Sequence, residues 1–133
     1  MVQTVARKPD YSDLDLDFIA HPTTKDVVRK TGEDAIKRSV RNLILTNHYE
    51  RPFRSYLGSN VRKVLFDNIN PMTATTLINF IKEVIINYEP RVSLTNVDVS
   101  VSTDNDGFDV IISYVILNRS QPVTIKLFLE RIR

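Results

Sequence analysis

The apolar positions of this chain change period twice, from alternating to helical near Glu33 and back to alternating beyond Pro90. Near the start, Leu14, Leu16 and Phe18 alternate with Asp13, Asp15 and Asp17, and Pro9 and Pro22 interrupt the run. This part reads as an extended arm with at most short strands. From Glu33 the period becomes helical: Ile36, Val40, Leu43 and Ile44 fall on one face, with Lys37, Arg38 and Arg41 elsewhere. That helix is expected to end near Asn47. A loop containing Pro52 and Gly58 leads to a short amphipathic piece, Val61, Val64 and Leu65, for which Ser59 is the expected N-cap. After a stop at Asp67 to Pro71, Thr73 is the expected cap of a longer helix carrying Leu77, Ile81, Val84, Ile85 and Tyr88.

Proline at 90 ends that helix by covalent geometry. It has no amide hydrogen and disfavours the helical conformation for Glu89 before it. Beyond it Val97, Val99 and Val101 alternate with Asp98, Ser100 and Ser102, the period of a half-buried strand. Asp104-Asn105-Asp106-Gly107 is a turn by composition, leading into a strand from Phe108 to Leu117. A connection from Asn118 to Pro122 precedes a last strand, in which Val123, Ile125, Leu127 and Leu129 alternate with Thr124, Lys126, Phe128 and Glu130. The fold class is therefore α+β: amphipathic helices followed by a C-terminal three-stranded antiparallel meander, with an extended N-terminal arm. The middle strand is apolar on both faces, Val110, Ile112 and Ile116 against Ile111, Val115 and Leu117. It calls for cover on both sides, from the helices on one and from the arm or another protein on the other.

A length of 133 residues without an internal repeat suits one domain over 1–133: an arm at 1–31, a helical part at 32–89 and the meander at 92–133. Eighteen basic and 16 acidic residues give a net charge of only +2, so a partner must be sought by patch rather than by overall field. With no cysteine there is neither a disulfide nor thiolate chemistry. The N-terminus lacks an apolar leader segment, and the run from Val110 to Leu117 is far shorter than the roughly 20 residues that span a bilayer. A soluble, unexported chain without membrane contact is expected.

Few residues suggest chemistry. Asp13, Asp15 and Asp17 resemble the start of a calcium loop, but Phe18 and Thr24 stand where Gly and Glu are required, and a solvated strand face is the better reading. His21 and His48 lack metal-ligand spacing and read as surface histidines, so no metal and no cofactor are expected. Glu50, Asp67, Glu83 and Glu89 could each serve a glycosidase, yet no spacing selects a pair. With three glycines there is no phosphate loop. Basic residues cluster at Arg29, Lys30, Lys37, Arg38 and Arg41, and again at Arg51, Arg54, Arg62 and Lys63. Acidic residues are interleaved and no aromatic stacking pattern accompanies them, so solvated faces are expected rather than a nucleic-acid surface.

Glu89, Pro90 and Arg91 are different. A carboxylate at a helix C-terminus faces the negative end of the helix dipole and needs a cation, which Arg91 supplies one residue past the proline. The rigid corner is preorganised for a charged partner. Both charges lie outside the apolar stripe, so truncating either is expected to leave the domain folded.

Tyr11-Ser12-Asp13-Leu14-Asp15, Ala35 through Asn42, Arg51-Pro52-Phe53, Asn70-Pro71-Met72-Thr73 and Asn87-Tyr88-Glu89-Pro90-Arg91, in this order and spacing, resemble the baseplate wedge family of contractile phage tails. That family has a type VI secretion counterpart and is also called the sheath initiator. The resemblance implies a structural virion protein, assembled in the host cytoplasm, that sits in the wedges around the tail tube, grips their helical core bundle and gives the tail sheath its first docking site. It assigns Glu89, Pro90 and Arg91 to the core-bundle contact. It assigns the last strand, Val123, Thr124, Ile125, Lys126, Leu127, Phe128, Leu129, Glu130 and Arg131, to strand addition by sheath arms, with the charges at Lys126, Glu130 and Arg131 discouraging self-pairing. Arg51-Pro52-Phe53, which also matches, is expected chiefly to anchor its loop, with a contact role as the alternative. Members have carried a lysozyme label, and the missing carboxylate pair argues against transferring it. A peptidoglycan-cleaving tail lysozyme and a basic nucleic-acid-binding module are the alternatives.

Overall fold

The computed structural model describes residues 11–102 and 104–133, so the start of the expected arm, 1–10 with its Pro9, lies outside the described residues. The contacts divide the chain into two units, Met1–Arg38 and Ser39–Arg133, with the boundary inside the first helix.

In the first unit the arm doubles back. Strand β1 (Ser12–Leu14) pairs antiparallel with β2 (Arg29–Thr31), and an isolated bridge joins Ala20 to Val27. A turn closes the far end, where His21 donates its N–H to Asp26 O at 2.7 Å. Gly32, with φ at 58°, opens helix α1 (Gly32–Leu45) in a conformation that only glycine adopts without strain.

The second unit starts on the C-terminal half of α1, where Val40, Leu43 and Ile44 are buried as the helical period requires. The single turn of α2 (Val61–Val64) follows, and then α3 (Pro71–Tyr88). Strands β3 (Val92–Ser102), β4 (Gly107–Ile116) and β5 (Pro122–Glu130) form an antiparallel sheet in the order β3-β4-β5. Helix α2 lies against α3, and α3 lies against β3. Leu77, Ile81, Val84 and Ile85 of α3 and Phe108, Val110, Ile112, Tyr114 and Ile116 of β4 make the core. This is the α+β meander that the periodicity predicts. No described helix is long and apolar enough to cross a membrane.

Several details differ from the sequence reading. The N-cap of α3 is Asn70, not Thr73: its backbone is extended (φ −151°, ψ 167°) and its Oδ1 accepts from Thr73 N–H at 2.8 Å, while Pro71 occupies the first turn, where no amide is needed. Thr73 is already helical, and its hydroxyl donates to Asn68 O at 2.8 Å. Asn60 precedes α2, while the Ser59 hydroxyl donates to Ile44 O at 2.7 Å and accepts from Val61 N–H at 3.4 Å. Ser59 thus ties α2 to the end of α1. A register shift between Leu94 and Asn96 bulges β3. The second face of β4 is mixed rather than apolar: Ile111, 36% exposed, stands between Asp98 and Lys126 on the flanking strands, and Leu117 lies past the strand at 51% exposure.

The cap generates a prediction. Asn70→Ala should destabilise the protein by about 1 kcal/mol and lower Tm by roughly 3–6 °C, with Asn70→Asp restoring most of the loss. Thermal unfolding followed by circular dichroism reads this; an unchanged Tm for Asn70→Ala would remove Asn70 from the capping role.

Candidate functional site: the charged corner and the sheet edge

Helix α3 ends at Glu89, which leaves the helical conformation (φ −124°, ψ 80°) while its N–H still reaches Ile85 O at 3.0 Å. One residue past Pro90, Arg91 turns back on it. Arg91 Nε donates to Glu89 Oε1 at 2.6 Å and Nη2 to Oε2 at 2.7 Å, a bidentate fork. The Ser39 hydroxyl of α1 donates to the same Oε2 at 2.6 Å. On the other side, Leu117 N–H donates to Arg91 O at 2.9 Å and fixes the corner to the sheet.

Glu89 is therefore not a presented charge. It is 2% exposed, whereas Pro90 is exposed and Arg91 is half-buried. Burial pushes its carboxyl up, and the Arg91 fork and the Ser39 hydroxyl outweigh that, holding it below the usual carboxylate range. The expectation that either charge can be removed without consequence for the fold is corrected for Glu89: its loss leaves a half-buried guanidinium and a hydroxyl without their acceptor. What the corner offers outward is Pro90 and the uncovered part of Arg91.

A second buried carboxylate sits in the first unit, where the sequence reading expected a solvated face. Asp15 is 2% exposed. Arg38 Nη2 donates to its Oδ1 at 2.8 Å, and Lys30 Nζ lies 3.6 Å from Oδ2. The Arg38 hydrogen bond holds Asp15 below the usual carboxylate range, against the effect of burial. Arg38 also binds Asp17, while Asp13 is exposed and accepts from Leu14 N–H. Lys37 pairs with Glu33 at 2.6 Å. Part of the first basic cluster is thus consumed within the chain; Arg51, Arg54, Arg62 and Lys63 of the second are exposed.

The sheet edge also departs in detail. Arg131 lies past β5, and its N–H donates to Asp106 O at 3.0 Å. Its side chain reaches Asn68 Oδ1 at 3.0 Å, so it is an internal tie rather than an edge charge. That backbone bond also sets the phase of the ladder. Antiparallel pairs alternate between bonded and non-bonded, and the β4–β5 register pairs Phe108 with Leu129, Val110 with Leu127 and Ile112 with Ile125. Counting from the Asp106–Arg131 bond, Val123, Ile125, Leu127 and Leu129 direct their backbone groups to β4. Thr124, Lys126, Phe128 and Glu130 direct theirs to the side of β5 away from β4, where no strand pairs among the described residues.

The histidines serve turns: His21 Nδ1 accepts from Thr23 and Thr24 N–H at 3.3 Å, and His48 Nδ1 lies 3.1 Å from Tyr56 O. Among the described residues no three metal-capable side chains converge. A depression of about 530 Å³ at the end of β5 holds the carboxylates of Asp106 and Glu130, but Arg133 already binds Asp106 at 2.6 Å. Phe53 does not anchor its loop: it is fully exposed. The anchors are Gly58, where a Cβ would stand 2.6 Å from Asn47 C and O, Glu50, whose carboxylate accepts from Asn47 N–H at 2.8 Å, and Tyr56 O, which accepts from the Tyr88 hydroxyl at 2.9 Å. Glycine preceding Ser59 was the only sequence signal of that close approach.

Comparisons with known proteins agree with this architecture. The chain is 33% identical over 113 residues to the baseplate wedge protein gp25 of Enterobacteria phage T4, covering 85% of each chain. A Geobacter sulfurreducens structure labelled a tail lysozyme superposes with a TM-score of 0.65 at 26% identity, covering 77% of this chain and 96% of that one. A chain of the anti-feeding prophage baseplate gives 0.64 at 21% identity, covering 92% and 87%, and shares the fold. The family described as baseplate wedge protein gp25 matches residues 30–121, which include both α1 with its Ser39 and the Glu89–Arg91 corner, and the chain belongs to that family.

Proposed function

We propose that this chain is a structural protein of the baseplate in a contractile phage tail or tail-like particle, working as one wedge domain over 1–133. The corner at Glu89, Pro90 and Arg91 holds the helical core bundle of the wedge, and the free side of β5 receives a strand from the first sheath subunits, with the tail tube as a further neighbour. The observation that carries the reading is the last strand of the sheet: among the described residues β5 pairs only with β4, and it aims the backbone groups of Thr124, Lys126, Phe128 and Glu130 away from that ladder.

The chemistry of the carboxylates favours a structural role over a lysozyme. The general acid of a glycosidase needs a raised pKa so that it keeps its proton near neutrality. The two buried carboxylates among the described residues, Asp15 and Glu89, are both shifted down and both neutralised by arginine. They are built to stay ionised.

The corner gives two predictions. Glu89 ionises more readily in the folded chain than its ordinary value of 4.5. Its stabilising effect is therefore complete above that pH and is lost as pH falls through the folded value. Glu89→Gln should lower the unfolding free energy by about 2–4 kcal/mol at pH 7, with the gap to wild type closing as pH falls below 4.5 and through the lower folded value. Urea melts across pH read this, and a gap independent of pH would contradict the assignment. Arg91→Lys keeps a cation for Glu89 but loses the planar fork. It should melt within a few degrees of wild type yet enter wedges poorly, and wild-type levels in purified baseplates would exclude the corner as a docking point.

For the edge, Lys126→Pro removes one outward amide without touching the β4 ladder, whereas Ile125→Pro removes a ladder bond and should destabilise the sheet. The Lys126→Pro protein should fold and enter baseplates, leaving tubes without sheath in electron micrographs. Normally sheathed tails would show that β5 is not the docking strand.

A further inference from the structure

Residues 47–58 form a loop with a fixed shape and an unusual exterior. Its ends are drawn together by the Gly58 approach to Asn47 and by Ser59 N–H donating to Thr46 O at 2.8 Å. Its interior is held by Tyr49 N–H to Ser55 O at 2.8 Å and Leu57 N–H to Arg54 O at 3.0 Å. Two hydrogen bonds on Tyr56 O, from Tyr88 and His48, fasten it to α3 and to its own base. Yet at its tip Phe53 is fully exposed and Tyr49 is 85% exposed, and both have left-handed backbones, φ 65° and 68°.

Each of these features is unfavourable for the isolated chain. An aromatic ring in water forgoes burial, and a β-carbon at positive φ is strained. The rest of the loop over-determines the conformation and so holds the ring outward. Arg51 and Arg54, both exposed, flank it, while the nearby Glu50 carboxylate is occupied at the loop base. An exposed aromatic on a tied loop, with exposed arginines two residues before it and one after, has the composition and the low ordering cost of an interface anchor.

We propose that this loop is a third docking element, in which Phe53 enters an apolar pocket rimmed by carboxylates on a different protein of the same tail. The proposal rests on the reading that the chain works inside a baseplate, and is independent of the roles given to the corner and to β5. The positive rim favours an acidic partner over a second copy of this loop, whose arginines would repel it. A nucleic-acid strand would call for several rings stacking successive bases along a basic groove. Here Tyr56 instead pairs with Tyr88, ring centroids 6.4 Å apart, and Tyr49 with His48 at 6.5 Å, so the exposed rings of the loop are set in separate pairs and Phe53 stands apart from them rather than in a row of stacking platforms.

The test uses whole particles. The full chain carrying p-benzoylphenylalanine at position 53 is expressed during tail production, purified tails are irradiated, and adducts are mapped by mass spectrometry. The expected result is one dominant adduct to another tail protein, in a segment with acidic residues. Adducts confined to a second copy of this chain, adducts to nucleic acid, or none in tails that contain the chain would each overturn the proposal. In parallel, Phe53→Asn, whose short polar side chain tolerates the left-handed conformation, should keep or raise Tm while incorporation falls at least about tenfold. Arg51→Glu with Arg54→Glu should also lower incorporation without loss of folding. Wild-type incorporation of folded Phe53→Asn protein would overturn the proposal. Absence of the wild-type chain from the tails would instead remove the baseplate reading, and this proposal with it.

Discussion

The second unit depends on a carboxylate that must stay ionised away from water. Proline ends α3, and the residue it expels is Glu89, whose charge faces both the negative end of the helix dipole and a nearly complete loss of solvent. Three short hydrogen bonds answer those penalties together, two from Arg91 and one from Ser39. Each donor comes from a different element: the hydroxyl from α1, the guanidinium from the residue that starts the chain into β3. One buried acid therefore sets the exit angle of α3, the entry of β3 and the position of α1 beside them. Neutral glutamine could accept the same hydrogen bonds only in part, because one oxygen cannot take the place of two in a guanidinium fork.

The first unit solves a similar problem by the same means. Asp15 sits next to a strand rather than a helix, and Arg38 and Lys30 approach it from α1 and β2. In both places arginine faces a carboxylate with little solvent access, the arrangement in which a planar, permanently charged donor is worth more than a mobile ammonium. These charges hold the chain together. They leave the outward surface to groups without an internal task, such as Pro90, the amides of β5 and the ring of Phe53.

What the sequence made legible follows from how local each signal is. The burial of Leu77, Ile81, Val84 and Ile85, the alternation along β5 and the break at Pro90 all depend on near neighbours, and each is found where periodicity places it. The caps were displaced because serine and threonine are read as caps by habit, whereas Asn70 before Pro71 is the stronger start: the proline leaves one amide fewer to satisfy. Asp15 was misread because an alternating Asp-Leu run looks solvated until the partner, 23 residues away, folds over it. The bulge at Leu94 and Asn96 has no marker such as glycine or proline. Arg131 could not be separated from β5 by alternation alone, since the end of the strand is set by the contacts with Asn68 and Asp106.

The site was legible in kind but not in orientation. Glu-Pro-Arg announces a rigid charged corner, and nothing in three letters says which charge turns inward. Geometry decides it: the helix exit points the glutamate side chain back toward Ser39, while the chain advances past the proline toward the sheet. The acid can then be desolvated only if the arginine follows it in. The arginine, longer and partly solvated, is the member left with surface to spare. The partner proposed for this corner would therefore meet a cation whose position is already fixed by an internal anion. Little of its side-chain freedom remains to be lost on docking. The net charge at the surface is also smaller than the guanidinium alone would give, because Glu89 lies beneath it. If the proposed docking at this corner holds, it would rest on the shape of Pro90 and the fixed place of Arg91 rather than on long-range attraction.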